Sequence, residues 1–152
     1  MGHLTLEILL ISGCPTNLSS CRQYKPNLID IINTLNSRGQ TLLYVACRFG
    51  TQEVVEMLLG CPGIDVNTPN SDGSTPAIGM AWDRCQGTFE KGEIDELFQI
   101  LTLLKTKGSN FKLSNQRGET VTSFLNTRLA NLQQQNPAKT IDAAQYLSKL
   151  LS

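Results

Sequence analysis

Apolar residues recur along the chain in short bursts at helical spacing, separated by polar turns. Between Thr41 and Gly50, the run Leu42-Leu43-Tyr44-Val45-Ala46-Cys47 predicts one short helix, with Thr41 as its cap and Gly50 suited to a left-handed stop. Val54, Val55, Leu58 and Leu59 place an apolar face on a second helix over Gln52 to Leu59, which Cys61-Pro62-Gly63 ends. Leu97, Phe98, Leu101 and Leu104 mark a longer one over Ile94 to Lys105. A further helix begins after Thr120 and extends to about Leu132. Asn136-Pro137 reads as cap and first residue of a last helix, with Ile141, Ala144, Leu147, Leu150 and Leu151 on its inner side. At the start, Leu4 to Ile11 predicts a helix and residues 18–24 a shorter one before Pro26.

The polar punctuation repeats. Asn36-Ser37-Arg38-Gly39-Gln40-Thr41, Asn70-Ser71-Asp72-Gly73-Ser74-Thr75 and Asn115-Gln116-Arg117-Gly118-Glu119-Thr120 all read Asn-x-x-Gly-x-Thr before an apolar stretch. Gly39 and Gly73 are 34 residues apart, a period that signals stacked helix pairs. Gly39 to Gly63 spans 24 residues and Gly73 to Gly108 spans 35, so the second unit has an 11-residue excess. That excess is expected in an inter-helix loop at residues 83–92. Asn33 and Asn67 each stand six residues before a turn glycine, so residues 31–33 are expected to match Val66-Asn67.

Gly39-Gln40-Thr41-Leu42-Leu43-Tyr44-Val45-Ala46-Cys47-Arg48-Phe49-Gly50 resembles the ankyrin-repeat consensus, with Leu42 in place of Pro and Tyr44 in place of His. Asp72-Gly73-Ser74-Thr75-Pro76-Ala77 restores the family's Asp, Thr and Pro. The third copy departs further, with Val121 for Pro and Leu125-Asn126 for the small alanine pair. The resemblance implies an all-α, ankyrin-like solenoid of helix-turn-helix repeats, about four units in a single domain. Residues 1–35 would be a degenerate N-terminal cap, 36–69 a repeat, 70–114 a repeat with the insertion, and 115–152 a degenerate C-terminal cap. Terminal units are expected to diverge because they must cover the core and still face water.

Charge and composition exclude several classes. Thirteen basic and thirteen acidic residues leave no net charge, which gives no support for nucleic acid or an anionic membrane as partner. No segment is apolar enough to span a bilayer. Leu9-Leu10-Ile11-Ser12-Gly13-Cys14 resembles a lipoprotein cleavage box, but Glu7 interrupts the apolar run and no Lys or Arg precedes it. Leu6 occupies the Ser/Thr position of a myristoylation signal. Cys14, Cys21, Cys47, Cys61 and Cys85 are odd in number and lack metal-ligand spacing, so reduced thiols in a cytoplasmic protein are expected.

Catalytic chemistry finds few candidates. His3 is the one histidine, and it lies near the terminus, away from any paired Cys or Ser. Asp95 and Glu96 are adjacent on a helix rather than opposed across a cleft. Cys85 has only Arg84 beside it to lower its pKa. No enzyme activity, cofactor or metal is expected.

The resemblance implies a protein partner held by the hairpin tips and the exposed side of each first helix. Carried over residue by residue, this surface comprises Arg38, Gln40, Arg48 and Phe49, then Asp72, Ser74, Trp82 and Asp83, then Arg117 and Glu119. Ser37, Ser71, Gln116 and Arg128 lie alongside. Phe49 and Trp82 are either exposed hot spots or core edges. Arg38, Asp72 and Arg117 alternate in sign, which fits solvated turns, mutual salt bridges or a partner of mixed charge. A monomeric interaction module is the leading expectation. A regulatory or assembly subunit that self-associates through exposed repeat ends is the alternative. Ankyrin-like repeats also occur in bacterial proteins delivered into host cells, and short, divergent repeats fit such an effector acting in the host cytoplasm.

Overall fold

The computed structural model describes residues 31–86, 91–135, 144–146 and 148–150. Among the described residues, the main helices are α1 (Leu42–Phe49), α2 (Gln52–Leu59), α3 (Pro76–Gln86), α4 (Lys91–Thr106) and α5 (Val121–Gln135). Residues 144–146 and 148–150 are also helical, and no strand occurs among the described residues. The helices expected over 4–11 and 18–24 lie outside the described residues, as do Asn136-Pro137, Ile141, Leu147 and Leu151.

Each helix pair starts from the same turn, and the turn is built by its asparagine. Asn36 Oδ1 accepts the N–H groups of Arg38 and Gln40 at 2.9 and 3.0 Å. Asn70 Oδ1 accepts those of Asp72 and Ser74 at 3.0 and 2.8 Å. Asn115 Oδ1 accepts those of Arg117 and Glu119 at 3.0 and 2.9 Å. The glycine N–H returns to the asparagine carbonyl in every case, at 2.9, 2.9 and 3.0 Å. The glycines reach the positive φ this closure demands: 67° at Gly39, 77° at Gly73 and 75° at Gly118.

The threonine of each turn then starts a helix. Thr41 Oγ1 accepts from Tyr44 N at 3.1 Å, Thr75 Oγ1 from Ile78 N at 3.4 Å, and Thr120 Oγ1 from Ser123 N at 3.1 Å. Each bond satisfies one of the donors that a helix N-terminus leaves without a partner. α1, α3 and α5 therefore begin one residue after their threonines.

The first helices form one layer and the second helices another. α3 packs between α1 and α5, α2 packs against α4, and α1–α2 and α3–α4 close each pair. Leu43, Val55, Leu58, Ile78, Met80, Ile100, Leu101, Leu104 and Val121 are fully buried between the layers. Ala46 and Ala81, also at zero exposure, let the backbones approach. Neither layer could bury these side chains alone, so stacking supplies the stability.

The outer connections repeat as expected. Asn33 Nδ2 donates to Gly63 O at 2.7 Å and its Oδ1 accepts from Asp65 N at 2.9 Å. Asn67 does the same one unit later, to Gly108 O at 3.0 Å and from Asn110 N at 2.8 Å.

Four sequence expectations are corrected. Gly50 is not left-handed: its φ is −86° and ψ 171°, in extended geometry. Glycine is needed there because a Cβ would lie 2.6 Å from the Ala46 carbonyl oxygen. The extra length of the second unit is not all loop over 83–92, of which residues 87–90 lie outside the described residues. α3 has 11 residues against 8 in α1, and α4 has 16 against 8 in α2, so residues 83–86 and 91–92 are helical. The reason is long-range: Arg84 donates to Glu96 on α4 and to the Gly50 carbonyl, both at 3.2 Å, and so draws the end of α3 onto its neighbours. α5 runs past Leu132 to Gln135. Ala144 is exposed rather than inward, whereas Leu150 is buried as expected.

Cys47 and Cys61 are both buried. Burial pushes the Cys47 thiol up from 9.0 to about 12, against a small opposing effect of Arg84. A raised folded pKa stabilises the fold fully below pH 9.0 and loses that contribution as pH climbs toward about 12, because the unfolded thiol ionises first. Urea unfolding between those limits is expected to show wild-type stability falling with pH, and Cys47→Ala to flatten the decline.

The turns allow a second test. A Cβ on Gly39 would meet Ser71 Oγ at 2.4 Å, while one on Gly118 meets nothing within 4 Å. Gly118→Ala is expected to cost about 1–2 kcal/mol from its positive φ alone. Gly39→Ala is expected to cost more, because it also pushes adjacent turns apart. Equal losses in denaturant titrations would show that the stacking of the turns carries no stability.

Candidate interaction surface

The exposed side chains of α1 and α3 converge on one charged residue. Arg48, in the last turn of α1, reaches across to α3 and pairs with both carboxylate oxygens of Asp83, through Nε to Oδ2 and through Nη2 to Oδ1 at 2.8 Å. Its guanidinium also lies over three rings: 4.7 Å from the Phe49 centroid, 5.5 Å from that of Trp82 and 5.8 Å from that of Tyr44. All three are within cation–π range. Hydrogen bonding to Asp83 raises the Arg48 pKa and outweighs the burial that opposes it. The charges of Arg48 and Asp83 thus cancel locally, and two of the rings they organise, Phe49 and Trp82, remain in water.

Phe49 is 68% exposed and Trp82 38% exposed, so neither is a core edge. An aromatic patch held by a fixed cation has little side-chain freedom left to lose on binding. Tyr44 differs, being buried with its hydroxyl accepting from Asn70 Nδ2 at 3.1 Å. Burial raises its pKa, with Arg48 opposing. Its ring lies on the backbone of α3 at Gly79, where a Cβ would come within 2.7 Å of Cζ. Tyr44 therefore connects the aromatic patch to the second turn.

The turns form the other part of the surface, and they are tied to one another. Ser71 Oγ donates to the Arg38 carbonyl at 3.0 Å. Gln116 donates through its N–H to the Asp72 carbonyl at 3.0 Å and through Nε2 to the Ser71 carbonyl at 3.1 Å. Arg38, Asp72 and Arg117 are exposed at the tips. Gln40 and Glu119 are half-buried and turn back on their own asparagines, accepting from Asn36 Nδ2 at 3.2 Å and Asn115 Nδ2 at 2.8 Å. Ser74 corrects the sequence expectation. At 8% exposure it lies beneath the third turn, with Asn115 Nδ2 3.4 Å from its Oγ, and cannot serve as a partner contact. Arg128 is half-buried on α5.

The structure thus gathers Arg48, Phe49, Trp82 and Asp83 into one cluster, and Arg38, Asp72 and Arg117 into one row. Residues 38–71, from the first turn through α1 and α2 into the second turn, match the family model for the ankyrin repeat. The chain thus contains an ankyrin repeat. No curated protein matches it. The matched repeat contains Arg48 and Phe49, while Trp82 and Asp83 come from the segment that follows it. The second and third turns extend the pattern beyond the matched repeat, by the same asparagine hydrogen bonds.

On the opposite side, a shallow groove of ≈ 460 Å³ runs between α2 and α4, lined by Glu56, Asp95, Phe98, Leu103 and Tyr146 among others. Phe98 and Tyr146 stack there with centroids 5.3 Å apart. Among the described residues, no three His, Cys, Asp or Glu side chains are grouped to hold a metal ion. No helix of the described residues is long and apolar enough to cross a membrane. The side chain of Cys85 lies outside the described residues.

Sequence reasoning missed Tyr44 and Arg84. The signal for Tyr44 was its place in the histidine position of the repeat, where a polar tip must reach the next turn. Arg84 had no local signal, because its partners Glu96 and Gly50 lie 12 and 34 residues away.

Asp83→Ala should leave the partly buried Arg48 cation without its carboxylate. The expected loss is about 1.5–3 kcal/mol, the range for hydrogen bonds to charged groups. Trp82 is the one tryptophan, so its emission is expected to shift as the patch loosens. Unchanged stability and emission would show that Asp83 does not hold the cluster.

Proposed function

We propose that this chain is a non-catalytic protein-interaction module: a solenoid of about four stacked units whose first-helix and turn surface captures a partner protein. The observation that carries the reading is the Arg48-centred patch. Phe49 and Trp82 remain substantially exposed although a guanidinium, a carboxylate and a buried tyrosine fix their positions. Large aromatic side chains held rigidly in water act as anchors when a partner desolvates them. The row of turns supplies a polar rim, the usual surround of such an anchor. The ankyrin match supports the same use, because the family's repeats serve as protein-binding scaffolds. Arg48 and Asp83 act within the site as positioning residues rather than as direct contacts.

Phe49 is the last residue of α1 and Trp82 lies six residues into α3, both away from the turns. A helix rises about 1.5 Å per residue, so the eight residues of α1 separate the two parts of the surface by roughly 12 Å. A partner engaging both must therefore be a folded surface or a long segment. The cytoplasm, of a host cell for a delivered effector, is the proposed compartment, consistent with the buried thiols Cys47 and Cys61.

Affinity capture from a cell lysate with the wild-type chain and the double variant Phe49→Ala/Trp82→Ala tests the reading. The double variant is expected to lose the captured protein while its circular dichroism and melting stay unchanged. Retained capture would displace the site from the aromatic patch.

A further inference from the structure

We propose that the three turns read an extended partner segment whose charges run acidic, basic, acidic at every third residue. The proposal deepens the interaction reading above and rests on it, but uses different residues. Arg38, Asp72 and Arg117 occupy the same place in their turns, two residues after the asparagine, and all three are exposed. Among the described residues, no ion pair joins any of them; the salt bridges are Arg48–Asp83 and Arg84–Glu96. Mutual salt bridging, one reading of their alternating signs, is thereby removed. Three charges of alternating sign face solvent uncompensated.

Their order is fixed by the backbone. The Arg38 carbonyl is held by Ser71 Oγ and the Asp72 carbonyl by Gln116 N, both at 3.0 Å, so neighbouring turns cannot slide. Other turn residues do not dilute the alternation. Ser37, Ser71 and Gln116 carry no charge, and the Glu119 carboxylate is turned back onto Asn115 at 2.8 Å.

Spacing then selects the occupant. Packed helices lie about 8–10 Å apart, and the turns that start them share that repeat. An extended chain advances about 3.2–3.4 Å per residue, so one turn corresponds to about three residues. The matching segment reads Asp/Glu-x-x-Lys/Arg-x-x-Asp/Glu, and its symmetry lets it lie in either direction. A helical occupant would need its charges about five to seven residues apart, since it rises about 1.5 Å per residue.

A random dodecapeptide library displayed on phage, selected on the full chain and on the variant Arg38→Glu/Asp72→Lys/Arg117→Glu, tests the proposal. Wild type is expected to enrich the acid-x-x-base-x-x-acid register. A synthetic copy should bind roughly tenfold more tightly than its charge-inverted counterpart, as three exposed ion pairs allow. The variant should reverse that preference, and it should fade near 1 M salt, where screening acts within about 3 Å. Absence of enrichment on wild type, a helical spacing of about five to seven residues, or a variant that selects the same peptides each overturns the proposal. If the triple variant loses helicity, Asp72→Lys alone must abolish selection for the central base. Peptides lost on Phe49→Ala/Trp82→Ala but indifferent to charge inversion would sink the register and leave the aromatic site standing. Peptides that follow the charges but ignore the aromatic changes would do the reverse.

Discussion

The structure depends on a single arrangement: an asparagine amide oxygen that accepts two backbone N–H groups across its own turn. At Asn36, Asn70 and Asn115 this closes the loop within a few residues. It forces the following glycine to positive φ and delivers a threonine to the helix start. The amide nitrogen of the same side chain remains available. It reaches the tyrosine on the first helix of the preceding unit at Asn70 and a carboxylate at Asn115. One residue type therefore sets turn geometry, helix phase and part of the contact between units. Aspartate could supply the acceptor but not the donor, which is a physical reason for asparagine at this position in every copy.

From that constraint the surface follows. With helix phase fixed, the last residues of α1 and the corresponding residues of α3 must face the same side. Arg48 then meets Asp83, and Phe49 meets Trp82 around the guanidinium. The bidentate pair is shielded enough to be worth more than an exposed ion pair, since each charge carries fixed hydrogen bonds. Removing one partner would cost more than the pair contributes, because the other would remain partly buried. The patch is thus coupled to the fold through charge, while its rings, which contribute little to the core, are left for another molecule.

Whatever is decided within a few residues could be read from the sequence. The Asn-x-x-Gly-x-Thr turns, the bounds of α2 and the equivalence of Asn33 with Asn67 all rest on local chemistry repeated at a fixed interval. Features set by distant partners could not. Asp83-Arg84-Cys85-Gln86 is polar and looks like a loop, yet Arg84 finds Glu96 and the Gly50 carbonyl and the helix continues. Gly50 looks like a left-handed stop, but the constraint is the nearby Ala46 carbonyl. Ser74 occupies an exposed position of the isolated turn and is buried only because a third turn lies above it. The grouping of Arg48 with Asp83 joins residues 35 apart, which no local pattern encodes.

The two parts of the surface make different physical demands on a partner. The aromatic patch offers area and rigidity, so it favours any apolar protrusion and discriminates weakly. The turn tips offer charges in water, which contribute little affinity each but repel a wrongly ordered neighbour. Combined on one scaffold, they separate strength of binding from choice of partner. The separation is possible because the tips are held by asparagine, serine and glutamine bonds to the backbone and the patch by a side-chain ion pair, so a substitution in one need not disturb the other. Tyr44 is where they meet: its ring packs against Gly79 and under Arg48, and its hydroxyl takes a hydrogen bond from the second turn. Tyr44 couples two otherwise independent parts, and it is the side chain through which a change at the tips could reach the rings; loss of its phenol would uncouple them.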